Sequence, residues 1–502
     1  LDVSSRPPKF TAITLGLLLC LADQNVSFIA VGLWGKLHFF ASPRRFHPLN
    51  KRHATADFFY DPREVTYLSV CGFTNDVALT ISYASTRGVV QSPLPCHQSS
   101  SFFVFFALRL SGSQKPRIGT PATNKGEREM ANISEVVIVG AGISGLVSAL
   151  DLLETHGLAS NQITILEGRG RVGGRLEVEH GVDVGGAWCW TSAHREVPAL
   201  ARRFGVAPFP QHDEGMHVID YGAHRSIART RQQLDSAKVR FEGGAAALTD
   251  ALAAHVRSEG VKVVLDCVVN RVSTADADAV LVEGVHDGEL RSWRAGAVFL
   301  AIPPRLALPP LISWEPRLPA KIAEAATATP TWMGETTKVL VTYQRPFWRE
   351  QGFSGNGMGY GGGPIQQLYD SCGPDGSEPY ALCGFIFGAG TELPSDDTLR
   401  PQVMEQLQRM FGEGAGSALT FSSHRWGEQP LTSGNGGGTG GGHDDMGDPE
   451  LRVPFGSGPE VGPPRVWLSA AETHSRHAGL MEGALSAGKR VAEQVRIGIR
   501  DT

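Results

Sequence analysis

A glycine-rich turn between an apolar run and a helix-like stretch constrains this 502-residue chain more than any other feature. Residues 135–139 read Glu-Val-Val-Ile-Val, which suits a buried parallel strand. The turn follows at once, and residues 146–155 then carry apolar side chains at helical spacing. In such a unit the first glycine allows the tight turn, the second lets a pyrophosphate approach the backbone, and the third lets the helix pack on the strand. The helix N-terminus also attracts phosphate. We therefore predict a dinucleotide site that includes Gly140, Gly142, Ser144 and Gly145.

A second apolar run ends in an acidic residue at the distance expected for such a site. Residues 163–166 read Ile-Thr-Ile-Leu, and Glu167 lies 27 residues after Gly140. A carboxylate at the end of this strand accepts hydrogen bonds from ribose hydroxyls. The pattern therefore favours an unphosphorylated adenosine ribose, and hence FAD or NAD.

The next two segments favour FAD. Arginines flank two glycines in the segment Arg169-Gly-Arg-Val-Gly-Gly-Arg175. Backbone N–H groups at the glycines and the arginine side chains together form a second type of phosphate-binding segment. Residues 183–188 then read Asp-Val-Gly-Gly-Ala-Trp. Together the two segments resemble the flavin monoamine oxidase family, whose members carry LEARDRVGGR followed by DLGG. The resemblance implies a flavin that lies along Arg169, Arg175 and the stretch that includes Gly186, Ala187 and Trp188.

Further islands of resemblance extend towards the C-terminal end of the chain. They cover residues 241–244, 261–265, 268–272, 298–304, 336–339, 346–349, 466–473 and 479–484. By this resemblance Val269 packs on the adenine, Lys338 holds a water near flavin N5, and Trp426 is an active-site tryptophan. Glu472, in the last strand, and Met481, at the start of the last helix, are expected to contact the cofactor. The dipole of that helix would stabilise negative charge on reduced flavin.

The resemblance implies an α/β flavoprotein of the two-dinucleotide-binding type. A Rossmann-like FAD-binding domain alternates along the chain with a mixed α+β substrate domain. The FAD-binding domain is expected in three parts, over residues 130–195, 241–305 and 461–502. The substrate domain is expected over residues 196–240 and 306–425, and a glycine-rich active-site loop over residues 426–460. Because residues 196–240 have room for only one or two helices, the chain resembles a short variant of the family.

Residues 1–129 match no part of this pattern and lack a sustained helical or strand period. Met130 directly precedes the first strand, so we interpret the extension as lying outside the functional fold, either as sequence that is not part of the natural protein or as a disordered segment. A targeting segment is the alternative, because residues 10–34 contain an apolar run. Polar residues near its centre argue against a membrane helix; they are Asp23, Gln24 and Asn25.

Composition and charge exclude several other classes of protein. The chain is 41% hydrophobic, has a mean hydropathy of −0.11 and carries a net charge of −5. We therefore expect a cytoplasmic protein with no nucleic-acid partner and no clear membrane anchor. Seven scattered cysteines form no CxxC pair, which argues against a zinc site and a disulfide framework. No metal site is predicted, and the oligomeric state stays open.

Three departures from the family pattern bear on the chemistry. The loop over residues 432–443 has no cysteine where covalent members carry one, so we expect non-covalent FAD. The family sandwiches the substrate nitrogen between two aromatic rings, of which one would fall in this loop and the other at Leu480. Both rings are missing, and the candidates to replace them are His474, His477, Trp426 and Phe455. The short 196–240 segment leaves the substrate site small or open.

The resemblance implies an FAD-dependent oxidase of a small-molecule amine. A hydride equivalent would pass from the alpha carbon to flavin N5, the imine would hydrolyse, and molecular oxygen would reoxidise the flavin to give hydrogen peroxide. Two alternatives stay open. One is a related flavin oxidase or desaturase that acts on a non-amine metabolite, and the other is a flavin-binding protein with little catalysis.

Overall fold

The computed structural model describes residues 133–222, 228–230, 237–276, 278–388, 394–434, 443–456 and 463–500. It also gives the backbone of eight strands nearer the start of the chain, within a compact unit over Leu1–Thr123; a second unit spans Asn124–Thr502. The strands of the first unit form two four-stranded antiparallel sheets: Leu15–Leu19, Val26–Gly32, Lys36–Pro43 and Thr55–Asp57 in one, and Val65–Gly72, Leu79–Ser85, Gly88–Gln91 and Phe102–Val104 in the other.

An eight-stranded sheet organises the second unit. Its path runs Lys262–Val264, Ile163–Leu166, Ile133–Val139, Glu289–Leu300, Val280–His286, Cys267–Ser273 and Ser313–Glu315, with Val466–Leu468 also paired to Glu289–Leu300. The pairs around Ile133–Val139 are parallel, so that Leu166 and Leu300 each lie beside Val139. Leu468 lies beside Leu300 in the same sense. The carboxyl ends of these strands therefore meet at one edge, where α/β sheets bind ligands.

Helices cover one face of this sheet because their apolar stripes need burial. They are Ile143–Glu154, Ala246–Ser258 and Met481–Arg500. Ile138 and Phe299 from the sheet and Leu146 from the first helix are fully buried in this core. A second core on the other face packs against the helix Ala320–Ala328. The nucleotide-site edge is thus held between two packed layers.

A seven-stranded sheet forms the other part of the unit. Its order is Ala228–Thr230, Met216–Asp220, Phe353–Gly359, Gln367–Asp370, Tyr380–Phe387, Thr336–Tyr343 and Thr420–Arg425. The helices Asp396–Phe411 and Phe347–Glu350 pack on it. Smaller pieces are the paired strands Val178–Glu179 and Val182–Asp183, and a three-stranded sheet of Cys189–Trp190, Lys238–Phe241 and Pro208–Pro210. The remaining α-helices are Glu196–Arg203 and Pro430–Ser433, and short 3-10 turns occupy Ser160–Gln162, Pro304–Ala307, Pro374–Gly376, Glu413–Gly416, Trp426–Glu428, His443–Asp445, Pro449–Arg452 and Ala471–Thr473.

The described part of the segment over residues 196–240 agrees with the prediction that it has room for only one or two helices. Its described residues form one helix, Glu196–Arg203, and then strands that join two different sheets. A long-range contact explains the position of the helix: the Glu482 carboxylate accepts hydrogen bonds from the backbone N–H groups of Arg195, Glu196 and Val197, each at 2.9 Å. A negative charge at a helix N-terminus is stabilising. Among the residues described, every helix is too short or too polar to cross a lipid bilayer.

Candidate active site

A deep cleft opens where the carboxyl ends of the parallel strands meet. The space within the cleft, including the part that is open to solvent, amounts to about 1150 Å³. The predicted residues that line it are Gly140, Gly142, Ser144, Glu167, Arg169, Arg175, Val269 and Met481. Residues more than 300 positions apart therefore face one space, as a bound dinucleotide requires.

The glycines of the turn have the geometry that the sequence predicts. Gly140 has a φ of +105°, and a Cβ added there would lie 2.6 Å from the Ala301 carbonyl oxygen. A Cβ on Gly145 would lie 2.0 Å from the Gly140 oxygen, so only glycine allows the helix to pack this closely. At Gly142, by contrast, the nearest atom to an added Cβ is 4.0 Å away, on Gly173. The backbone at Gly142 therefore has room for a phosphate to approach.

The first helix begins next to this open position. No side chain caps its N-terminus at Gly142, and its first turn has no acidic residue. The backbone N–H groups and the dipole therefore face the cleft without a competing carboxylate. The Ser144 hydroxyl, which was predicted to bind cofactor, donates a hydrogen bond to the Ser469 carbonyl and joins this helix to the last strand.

Glu167 is buried and holds the turn as well as facing the cleft. One carboxylate oxygen accepts the N–H of Ala141 at 2.8 Å, and the other accepts that of Arg169 at 2.9 Å. A carboxylate offers about four acceptor positions, so two stay available for ribose hydroxyls. The structure thus gives Glu167 a second role that the motif alone does not reveal.

Two arginines are fixed at the cleft by contacts with distant parts of the chain. Arg169 donates to the Thr432 hydroxyl at 2.7 Å and to the Leu431 carbonyl at 3.3 Å, at the start of the glycine-rich loop. Arg175 forms a bidentate ion pair with Glu472, at 2.5 and 3.0 Å. Glu472 is fully buried behind Arg175, so its described role is to position that arginine. Residues 435–442 of the loop lie outside the described residues.

Lys338 lies buried beneath the segment 183–188. Its ammonium donates to the backbone carbonyls of Gly185 and Asp183, the latter at 3.3 Å. Burial is the main cause of a lowered Lys338 pKa. The Trp426 indole N–H donates to the Val184 carbonyl at 2.9 Å. Both residues that were predicted to be catalytic therefore hold the backbone of the segment that leads to Trp188.

This segment adjoins the cofactor cleft through Gly186. A Cβ on Gly186 would lie 4.0 Å from the Met481 side chain, which lines the cleft. Ala187 is buried and borders a small polar pocket together with Lys338. Asp183 borders the same pocket, and burial raises its pKa to about 6.

Comparison with known proteins agrees with this geometry. The family model described as flavin containing amine oxidoreductase matches residues 143–240 and 219–496, which is more than half of the chain. The chain belongs to the flavin-containing amine oxidoreductases.

Relatives cover the same part of the chain. Flavin-containing amine oxidase B of Rattus norvegicus is 23% identical over 468 residues, which cover 73% of this chain and 86% of the rat protein. Wild-type putrescine oxidase with bound putrescine superposes with a TM-score of 0.58 at 20% identity, over 72% of this chain and 99% of that one. For cyclohexylamine oxidase from Brevibacterium oxydans the TM-score is 0.60 at 19% identity, over 73% and 99%. These likenesses confirm the predicted fold.

This flavin-containing amine oxidoreductase has an aromatic cluster that the sequence analysis missed. The Trp188 and Tyr369 ring centroids lie 4.9 Å apart, and Phe385 lies 5.7 Å from Trp188 and 5.8 Å from Tyr369. The Lys338 ammonium lies 5.2 Å from the Trp188 centroid and 4.9 Å from that of Phe385. The cluster therefore stands beside the predicted catalytic lysine.

The aromatic candidates proposed from sequence have other surroundings. Phe455 packs in the core behind the sheet, 5.5 Å from Trp314 between ring centroids. His474 and His477 stack on each other at 5.5 Å just before the last helix. The strand Tyr380–Phe387 is buried over Ala381–Ile386 without alternation, so no strand period singles out Phe385 in the sequence.

Proposed function

We propose that this chain is an FAD-dependent oxidase of a small-molecule amine, with FAD held non-covalently. The observation that carries the proposal is the single cleft in which the glycine turn, Glu167 and Arg169 converge, with Lys338 anchored beside it. The donor set fits FAD, because it offers a carboxylate for the ribose, open backbone for the pyrophosphate and apolar walls such as Val269.

Bound FAD would accept a hydride equivalent from the alpha carbon of the amine, and molecular oxygen would then restore it with release of hydrogen peroxide. The protein's own residues orient and desolvate the reactants. An ammonium has three N–H donors, and Lys338 uses two on backbone carbonyls. We assign the third to a water molecule at the reaction site. That water can add to the imine and give an aldehyde or ketone plus ammonia or an amine.

The non-covalent attachment of FAD is proposed from the absence of cysteine over residues 432–443. The described cysteines are buried, namely Cys189, Cys267, Cys372 and Cys383. Acid precipitation of the purified holoprotein should therefore leave yellow FAD in the supernatant. Flavin that stays with the precipitated chain would show that the attachment is covalent.

Activity is tested by oxygen consumption of the holoprotein with primary amines, diamines and amino acids, together with peroxide detection. We expect at least one class of amine to reduce the flavin anaerobically and to release equal amounts of peroxide and carbonyl product under air. Leu480 is aliphatic at a position where the family's amine oxidases have an aromatic ring against the substrate nitrogen, and this difference favours the non-amine alternative. Flavin that no amine reduces, but that a carbon substrate does, would replace the proposal with that alternative.

A further inference from the structure

The strand Lys238–Phe241 brings a second lysine next to the aromatic cluster. This strand pairs with Cys189–Trp190, with Lys238 opposite Trp190. Side chains two residues apart on a strand point to the same face, so Lys238 and Arg240 share one. Both are buried, at 7% and 6% exposure. The strand thus directs two cations towards the segment that leads to the cofactor cleft.

The Lys238 ammonium lies between two ring faces. Its nitrogen is 4.1 Å from the Trp188 centroid and 4.0 Å from that of Tyr369. These distances lie well within cation–π range. Trp188 is also approached by Lys338, at 5.2 Å. The aromatic surface where an amine could bind therefore already carries a cation of the protein itself.

The charges around Lys238 are mostly of the same sign. Burial, followed by Lys338 and Arg240, lowers the Lys238 pKa to about 8, against which Asp213 raises it. Among the described residues no ion pair joins Lys238 to a carboxylate. The buried Arg240 Nε likewise has no hydrogen-bond partner among the described residues. The Arg240 Nη2 group donates to the Cys372 carbonyl, so the Lys238 ammonium and the Arg240 Nε are the donors left for an anionic group.

We propose that Lys238 is a specificity-determining residue that selects amine substrates bearing a carboxylate and discriminates against diamines. The proposal rests on the proposed function and names its substrate class. A second ammonium would have to enter beside Lys238 and Lys338, where like charges in a partly desolvated site repel strongly. A carboxylate would neutralise Lys238 and use its free donors in charge-assisted hydrogen bonds.

The substrate test compares amines that differ only at the far end. The far end is neutral in pentylamine, cationic in 1,5-diaminopentane and anionic in 5-aminopentanoate. Homologues with chains of three to six carbons are tested as well, to cover different distances between the reacting amine and Lys238. For the wild-type holoenzyme we expect kcat/KM to favour the amino acid over the diamine by about tenfold or more. Lys238→Met should remove this preference, whereas Lys238→Arg should keep it. Equal or faster oxidation of the diamine by the wild type, or an unchanged ratio in Lys238→Met, overturns the proposal.

A binding test separates this proposal from the proposed function. Calorimetric titration of the holoprotein with pentanoate requires no turnover. We expect pentanoate to bind the wild type, and Lys238→Met to bind it about tenfold more weakly at equal FAD content. Lys262→Met, at an exposed position on the strand Lys262–Val264, is the matched control and should bind like the wild type. If no amine is oxidised but pentanoate binding depends on Lys238, only the proposed function fails. If pentanoate does not bind to the wild type, or binds to Lys238→Met equally well, the proposal that Lys238 forms an anion site is refuted.

Discussion

Arg175 and Glu472 form a bidentate ion pair across 297 residues of chain. Glu472 was expected in the last strand, but it lies in the 3-10 turn Ala471–Thr473 that follows this strand, so the pair joins that turn to the second glycine-rich segment. Glu472 is fully buried and also accepts the backbone N–H of Trp332 at 3.4 Å. One carboxylate therefore fixes both an arginine at the cleft and the backbone at Trp332.

Glu472→Gln should destabilise the protein and weaken FAD binding, because it leaves a partly buried guanidinium without its counter-charge. Breaking such a pair from one side costs about 3 kcal/mol. Urea unfolding and FAD titration measure the two effects. Glu450→Gln is the control, since Glu450 pairs with the exposed Lys321 at 3.6 Å and exposed pairs contribute about 1 kcal/mol or less. A Glu472→Gln protein as stable as the control would contradict this role.

Glu167→Ala should lower FAD affinity by roughly tenfold or more, because charge-assisted bonds to ribose contribute about 1.5–3 kcal/mol each. It should also lower the stability of the protein without cofactor, since the N–H groups of Ala141 and Arg169 lose their acceptor. Glu167→Gln keeps the shape and one acceptor oxygen and should show smaller losses on both counts. Equilibrium dialysis with FAD measures the affinity. Wild-type affinity in Glu167→Ala would mean that the ribose is held by other groups.

Lys338→Met should slow substrate oxidation or flavin reoxidation while FAD stays bound. Methionine keeps the length of the side chain but removes the donors that hold the carbonyls of Asp183 and Gly185. Stopped-flow absorbance follows the two half-reactions separately, and Lys262→Met again serves as the control. Wild-type rates in both half-reactions would remove Lys338 from the mechanism.

Lys238 should make anion binding and stability depend on pH in opposite ways. With a pKa near 8, Lys238 is charged below that pH, so pentanoate affinity should fall as the pH rises through about 8. Between this value and about 10.5 the unfolded chain binds more protons than the folded one, so the contribution of Lys238 to stability rises with pH.

Lys238→Met should therefore be more stable than the wild type at pH 7. The gain in the free energy of unfolding should be about 3 kcal/mol at most, and the loss of the cation–π contacts reduces it. Thermal melts at pH 7 and pH 10 measure the difference, which should shrink at the higher pH. A variant that is less stable at pH 7 would show that Lys238 is kept for structure. Neighbouring groups that titrate or carry charge at this site are Lys338, Arg240 and Asp213, and Tyr369, whose pKa is raised by burial.

The first nucleotide unit was predictable because its determinants are local. Alternating strand, glycine turn and helix lie within residues 133–154, and Glu167 follows at a characteristic distance. The lysine and tryptophan of the site were placed by resemblance. Their described contacts are with the backbone of residues 183–185, and their catalytic roles stay predictions, as do the domain boundaries.

The aromatic cluster was not predictable for a physical reason. Trp188, Lys238, Tyr369 and Phe385 come from four strands or loops that only tertiary packing brings together, and each residue alone looks like an ordinary core or surface position. Phe455 illustrates the converse error, since an aromatic near the predicted loop packs in the core instead. The length of residues 196–240 predicted room for one or two helices and the described residues form one, but the strands of this segment, which pair with partners distant in sequence, were not predicted.

The cleft described above is lined by residues from Val139 to Ala484. During synthesis on the ribosome, which proceeds from the N-terminal end, the glycine turn and Glu167 emerge hundreds of residues before the wall formed by Gly479, Met481 and Ala484. The nascent chain therefore cannot enclose its cofactor until the last helix has left the exit tunnel. Flavin uptake should be a late event in the biogenesis of this protein, and a chain that stalls before residue 479 should be released without flavin.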